Sequence, residues 1–505
     1  MSPQLFPTLY KTVLLAGCSV VALTLQPTLS QAASPPTVLD HNALLISTST
    51  YESTKGAIAS LAVGSTLPNT ATATTTAVAG NNYVTTWNNA SVDGSYGVTS
   101  PITLQEINAS TGAPLQSFAI PPEEVVTSFS SKSELALHVA YTPQPTVTFV
   151  AYGLANVGAI DVSNSDAVAG QDPTNPVTFA FGSNYAFART IVAMDRFGNL
   201  RFTPTVAYGG NNGRSALMAH SGTYYAVGNA NNGNAKTFGS SNGTNPDVTE
   251  TTGVEVVAPV NAPFANAAPA QSAEVDPLLD FTFGGKADKP GKDDNFRGIT
   301  EFNNALYFTK GSGSNGVDTV YSVPTLPTLA NAASTTISIV PGFPTDSAKV
   351  TGGDFTPFGV FFANPHTMYV TDEASGDATD VAQHAGLEKW SLVNGTWKLD
   401  YVLQAGLIGT TDTNLTGPAG QYPDVTTVGL RNLTGTVNGD GTVTLWATTS
   451  TSSTSGDQGA DPNKVVKITD LEFAHTVTPE VALESFETVM GPTYGTVYRG
   501  VVYLK

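Results

Sequence analysis

Read for the alternation of apolar and polar positions, the chain is a succession of short strands. Six segments share one grammar: a basic or aromatic residue, a small or polar residue, then an apolar strand. They are Lys132-Ser-Glu-Leu-Ala-Leu, Arg214-Ser-Ala-Leu-Met-Ala, Arg297-Gly-Ile-Thr-Glu-Phe, Phe358-Gly-Val-Phe-Phe-Ala, Arg431-Asn-Leu-Thr-Gly-Thr and Arg499-Gly-Val-Val-Tyr-Leu, starting 82, 83, 61, 73 and 68 residues apart. Five are followed by a polar turn and a second apolar strand, at Thr146–Tyr152, Tyr224–Val227, Ala305–Thr309, Met368–Thr371 and Val443–Ala447. The turn Asn438-Gly-Asp-Gly is a strong hairpin signal. Third and fourth strands follow, as in Gly386-Leu-Glu-Lys-Trp-Ser-Leu with Trp397-Lys-Leu-Asp-Tyr-Val-Leu, and Thr190-Ile-Val-Ala-Met-Asp with Arg201-Phe-Thr-Pro-Thr-Val. Long stretches with apolar residues at i, i+3 and i+4 are absent.

Four antiparallel strands recurring every 60–85 residues or so predict an all-β fold, a six-bladed β-propeller. The last copy, Arg499 to Leu504, has room for a first strand only. The N-terminal part supplies the rest of that blade: Ala43–Thr48 second, Pro101–Asn108 third, Ala113–Ile120 fourth. The ring is thus expected to close by pairing of N- and C-terminal strands, which removes a free sheet edge. A hidden sheet in Val254–Phe283 would raise the count to seven.

Composition fits this picture. Gly at 48 and charged residues at 12 % suit strands joined by turns. Residues 1–33 read as a secretory signal, with Lys11 as the positive region, Thr12 to Leu25 as the apolar core and Leu29-Ser-Gln-Ala-Ala33 as the cleavage site. Residues 34–505 form a single propeller domain. Leu14-Leu-Ala-Gly-Cys18 also has the look of a lipoprotein signal, but the apolar run continues past Cys18, which favours ordinary cleavage. The expected address is extracellular, or periplasmic in a bacterium, with no membrane span.

Loss of the leader removes Lys11 and no acid, leaving 20 basic against 40 acidic residues, a change in formal charge from -19 to -20. So acidic a chain disfavours nucleic acid and anionic membranes as partners. Nothing in the pattern calls for an oligomer, and a monomer is expected. Sequons at Asn89, Asn108, Asn242, Asn394, Asn414 and Asn432 mark a glycoprotein if the source is eukaryotic.

In a four-stranded blade the first strand lines the central channel. Its start shares a face with the loop between second and third strands. This places Lys132, Arg214, Arg297, Arg431 and Arg499 around one channel mouth. They could form a positive funnel for carboxylate, sulfate or phosphate through bidentate contacts. They could equally clamp neighbouring blades by pairing with Glu134, Asp293, Asp294, Asp354, Asp372 or Asp424. The second-strand ends bring Tyr152, Lys310 and Asp372 to the same mouth, and the loops after them add Glu373, His384, Asp457 and Asp461.

Asp372, Glu373 and His384 are candidates for general acid and base, with Lys310 or an arginine stabilising negative charge. Adjacent Asp372 and Glu373 would face opposite ways in a strand. Asp and His side chains could also hold a hard divalent cation, but no spacing defines a metal set or a cofactor. His220 and His366 fall in turns on the opposite face, and His138 reads as a core residue. No nucleophile elbow, phosphate loop or calcium loop is present.

Ser131-Lys-Ser-Glu-Leu-Ala-Leu, Asp172-Pro-Thr-Asn-Pro, Asn295-Phe-Arg-Gly, Phe308-Thr-Lys-Gly-Ser-Gly, Gly386-Leu-Glu-Lys-Trp and Gly459-Ala-Asp-Pro-Asn-Lys resemble a family of secreted β-propellers found in bacteria and fungi. The resemblance spans most of residues 40–505. It implies the fold and secretion; the family has no established activity, so no catalytic residue is carried across. Two readings of function stand. One is an extracellular propeller that binds a glycan or an anionic molecule or polymer on its loop-bearing face, with Lys132, Arg214, Arg297, Arg431, Arg499 and Tyr152 at the ligand. The other is a carbohydrate-active hydrolase or lyase using Asp372, Glu373, His384 and Lys310.

Overall fold

In the computed structural model the described residues are 38–52, 54–55, 59, 66–68, 74–76, 98–129, 135–141, 143–159, 188–208, 212–229, 237–238, 248–249, 251–277, 279, 294–311, 316–346, 355–374, 383–417, 420–454 and 459–505. The chain separates into Met1–Thr37, which lies outside them, and Val38–Lys505, which is the propeller. The leader, Cys18, Lys132 and most of the long loops between second and third strands also lie outside. Among the described residues no helix is long and apolar enough to cross a membrane.

Six sheets of four principal strands make the ring, each pairing its strands in the order first to fourth. Blade 1 joins Thr496–Leu504 to Ala43–Thr50, Ile102–Asn108 and Pro114–Ala119. Its register runs from Ala43 opposite Leu504 to Thr50 opposite Thr496, so the two ends of the propeller close the ring as the sequence implies. Blade 3 holds Gly213–Met218, Tyr224–Gly228, Gly253–Val257 and Ser272–Val275. The stretch that could have hidden a seventh sheet therefore supplies blade 3's outer strands. Blade 4 runs from Ile299–Phe302 to Ser338–Ile339, blade 5 from Pro357–Asn364 to Thr396–Leu403, and blade 6 from Val425–Val437 to Glu487–Met490.

Blade 2 departs from the sequence pattern. Its inner edge is split between His138–Tyr141 and Val125–Phe129, both pairing with Pro145–Gly153. The strand expected from Lys132 to Leu137 starts later, at His138. Val98–Ser100 adds to the free side of Val125–Phe129.

Each neighbouring pair of blades encloses an apolar cluster. Leu45 and Leu104 meet Val147 and Phe149 between blades 1 and 2, and Tyr225 and Val254 meet Ile299 and Phe308 between blades 3 and 4. Trp446 and Val465 meet Ile46 and Val501 where blade 6 returns to blade 1. Burying such a side chain contributes about 1.5–3 kcal/mol, so each interface adds substantially to the fold's stability. Asp470 on blade 6 ties in the fully buried Lys389 of blade 5, with Nζ to Oδ2 at 2.8 Å, and Tyr401 donates to its Oδ1 at 2.7 Å.

The recurring small residue after each basic or aromatic one now has a physical cause. A hydroxyl on the second strand accepts the small residue's N–H and donates to a carbonyl of the next blade's first strand. Thr309 takes the N–H of Gly298 at 3.1 Å and donates to Phe358 O at 2.6 Å. Thr371 links Gly359 to Arg431, Thr448 links Asn432 to Arg499, and Ser47 links Gly500 to Leu135. The strands pass so closely that a side chain hardly fits. A Cβ at Gly359 would lie 2.9 Å from Arg431 O, and at Gly298 or Gly500 it would overlap a carbonyl oxygen of the next blade. Asn432 belongs to this relay, is 7 % exposed and donates to Arg499 O, so its sequon cannot be modified in the folded protein.

Two carboxyl groups at blade interfaces set a pH dependence. Glu255 is fully buried near Glu274 and Asp294, and burial first, then Glu274's charge, holds it well above the usual 4.5. Glu484, beside Asp470, is pushed up to about 8 by burial and by that carboxyl. Folding raises both values, so the native state binds more protons than the unfolded chain. Their stabilising share is complete below about 4.5 and is lost as pH rises through the folded values. Urea midpoints should therefore fall from pH 5 to pH 8. The fall should be shallower in Glu255→Gln and in Glu484→Gln, and an equal slope in both variants and parent would refute the assignment.

Candidate functional site

Five of the six repeat positions, Arg214, Arg297, Phe358, Arg431 and Arg499, are described, and they gather at one mouth of the channel, where the chain's scarce cations meet its acids. Arg297 Nη2 lies 3.4 Å from Glu373 Oε1, and Arg431 Nε donates to Glu373 Oε2 at 3.2 Å. Arg297 lies just before blade 4's first strand, and Glu373 follows the second strand of blade 5. Arg431, expected at a strand start, lies at the centre of blade 6's first strand because that strand extends back to Val425. One carboxylate thus joins three blades. Phe358, blade 5's residue at the basic position, lies between the two guanidinium groups, with its ring centroid 5.7 Å from Arg297 Cζ and 4.8 Å from Arg431 Cζ. This accounts for an aromatic residue at one of six otherwise basic positions: both neighbours supply cation–π contacts.

The other arginines are set in the same way. Arg214 Nε donates to Asn295 Oδ1 at 3.1 Å, at the approach to blade 4. Arg499 donates to Gly459 O at 2.8 Å and to Ser128 O at 3.5 Å, joining blade 1 to blades 6 and 2. The four described arginines of the repeat, Arg214, Arg297, Arg431 and Arg499, are at most 5 % exposed. Lys132 lies outside the described residues.

The second-strand ends complete the cluster. Lys310 is fully buried, its Nζ 2.7 Å from Asp318 Oδ1. Burial raises the Asp318 carboxyl, while the charges of Lys310 and Arg297 pull it back down. Asp372 accepts from Thr356 N at 2.7 Å, Thr356 Oγ1 at 2.6 Å and Ala374 N at 2.8 Å. Glu373, its neighbour, turns the other way to the arginines, as alternation along a strand requires. Tyr152 donates to Asn212 Oδ1 at 2.6 Å, and Arg189 lies over its ring at 5.1 Å. Arg297, Arg431 and Lys310 together balance Glu373, Asp318 and Asp372, so this part of the mouth has no net formal charge.

His384 has a carboxylate partner of its own. Its Nδ1 is 2.7 Å from Glu388 Oε1, and Trp390 Nε1 donates to the other oxygen, Oε2, at 2.8 Å. Glu388 is fully buried and the imidazole is 24 % exposed. A carboxylate held by an indole and orienting a partly accessible histidine is the arrangement of a general base. Among the described residues no group of three or more His, Cys, Asp or Glu side chains is placed to hold a metal ion.

Sequence reasoning missed Arg189, Asp318, Glu388 and the role of Phe358. Phe358 carried a usable signal, because it occupies the repeat position where its equivalents are basic. Asp318 and Glu388 carried none, since each is identified only by its partner across a turn. Asp461, noted in the sequence as a loop acid, receives Tyr422 OH at 2.8 Å and Ser453 Oγ at 2.7 Å on the same face.

No protein-family model matches the chain, and no curated protein is similar to it. Among solved structures it is similar to a GH32 beta-fructofuranosidase of Bombyx mori, with 9 % identity and a TM-score of 0.29, over 75 % of this chain and 64 % of that one. It is also similar to the computationally designed Ika8 protein, with 10 % identity and a TM-score of 0.21, over 67 % of this chain and 94 % of that one. Likenesses so distant carry no argument about function.

Proposed function

We propose that the protein is a secreted propeller that binds an extracellular glycan at the arginine-bearing mouth of its channel. The observation that carries this reading is the commitment of the acids nominated for chemistry. Asp372 is held by a hydroxyl and two backbone N–H groups, and Glu373 by two guanidinium groups. A general acid must exchange its proton with substrate, and these carboxyls are committed to protein partners, Asp372 within blade 5 and Glu373 between blades 4, 5 and 6. The balanced charges of the cluster favour a hydroxylated ligand over a strongly anionic one. Stable, interlocked arginines are a rigid base for the loops of that face, which is where propeller scaffolds present ligands.

A hydrolase or lyase is the second reading, and the His384–Glu388 pair is what favours it. A screen of neutral and acidic polysaccharides, read for both binding and product release, separates the two. Saturable binding without release is expected, weakened roughly 10-fold by Arg297→Lys, which keeps the charge but loses the guanidinium contact with Glu373 and so loosens the base of that face's loops. Product release that disappears in His384→Gln would overturn binding as the function and make that histidine the base. Binding unchanged by Arg297→Lys would remove the arginine cluster from the ligand site.

A further inference from the structure

The channel's opposite mouth has a chemistry of its own. There the far ends of the first strands surround a cavity of about 370 Å³, a size that suits small ligands. Blade 2 contributes His138 and Tyr141, blade 3 Met218 and His220, blade 4 Glu301, and blade 5 Phe361; strands of blades 6 and 1 close the ring. Among the residues that line it there is one carboxylate, that of Glu301, and no lysine or arginine. Among the described residues, the repeat's arginines, Arg214, Arg297, Arg431 and Arg499, belong to the other mouth.

We propose that this cavity binds a small organic ammonium ion, an alkylamine of a few carbons, with Glu301 receiving the ammonium group and Met218 and Phe361 lining its carbon chain. Three observations support that class. An anion would face the Glu301 carboxylate with no lysine or arginine in the lining to offset it, whereas a chain of formal charge -19 draws cations towards it. Glu301 is half-buried, and burial raises its carboxyl while the nearby His220 lowers it, so a positive group beside it is favourable. His138 does not compete: its Nε2 lies 2.7 Å from Ser215 Oγ, and burial pushes the imidazole down to about 4, which keeps it neutral. The lining is mixed: Thr300, Thr434 and the two histidines are polar, while Met218, Val360 and Phe361 beside the one carboxylate offer apolar surface to a cation that carries hydrocarbon.

Titration calorimetry of the full chain with n-butylammonium chloride tests this, with D-glucose as the neutral probe. Saturable binding of butylammonium and none of glucose is expected. Glu301→Gln should weaken it at least 10-fold, and Met218→Lys, which puts a fixed ammonium group into the cavity, should abolish it. His220→Ala should leave affinity equal or higher, because it removes a competing partner of Glu301. If Glu301→Gln does not fold, Met218→Lys carries the same comparison. No saturation by butylammonium, unchanged affinity in the lysine variant, or glucose binding that depends on His220 would each overturn the proposal.

Discussion

Replacing Glu373 by alanine should destabilise the propeller by about 3–5 kcal/mol, the cost of leaving buried charge uncompensated. Glu373 is 3 % exposed and holds Arg297 and Arg431, which are 1 % and 5 % exposed. Without it, two guanidinium groups face each other across Phe358 with their shared counter-charge gone. Glu373→Gln should lose less, because an amide oxygen still accepts a hydrogen bond while the charge is removed. The coupling can be isolated with Arg431→Met: if the three groups act as a unit, Glu373→Ala should cost less in that background than in the parent. Denaturant midpoints measure all of these variants. A loss below about 1 kcal/mol for Glu373→Ala, within the range of an exposed pair, would mean that the cluster is not an inter-blade clamp.

Gly298→Ala is expected to be nearly as damaging, at about 3 kcal/mol or more, since the added methyl group has no room to be accommodated by a side chain. It would overlap the carbonyl oxygen of Phe358 in the next blade, and it would disturb the relay from Gly298 N through Thr309 Oγ1 to that carbonyl. The cause is closeness of two backbones, not conformation. Gly500→Ala should behave alike, because it meets the carbonyl of Leu135. Gly439→Ala is the control: a Cβ there has nothing within 4 Å, and its unfolding midpoint should stay with the parent. If Gly298→Ala matched that control, the close approach of first strands would not be what selects small residues at this position.

These two residues show why the repeat could be read from sequence. Gly298, Gly359 and Gly500 are small for one reason that recurs in blades 4, 5 and 1, so the constraint leaves a periodic trace. The bridging hydroxyls, Thr309, Thr371, Thr448 and Ser47, recur as well, but in a chain rich in Thr and Ser they do not stand out. Arginines at the strand starts were visible for the same reason of periodicity, although their partners were not. Glu373 lay outside the acids considered as clamps because it sits one residue past a second-strand end, and only the ring's curvature brings it between blades 4 and 6. Blade 2 shows the other limit. Its inner edge is shared by Val125–Phe129 and His138–Tyr141, and a segment at one point in sequence cannot announce that another will occupy its place.

Sequence alone therefore determined the all-β class, the six blades, the closure of the ring by its two ends and the face on which the basic residues gather. All of these follow from local alternation and from spacing along the chain, which a linear text preserves. Tertiary structure alone decided that Asp372 is held by Thr356 and Ala374, that Glu373 serves two arginines at once, and that His384 rests on Glu388. It also decided that His138, His220 and Glu301, successively 82 and 81 residues apart in the chain, line one cavity of the channel. Such charge partnerships are set by distances of a few ångströms between strands of different blades. In a low-dielectric interior those distances, and not the identity of the residues, determine whether a carboxylate is a clamp, a base or a ligand's counter-charge.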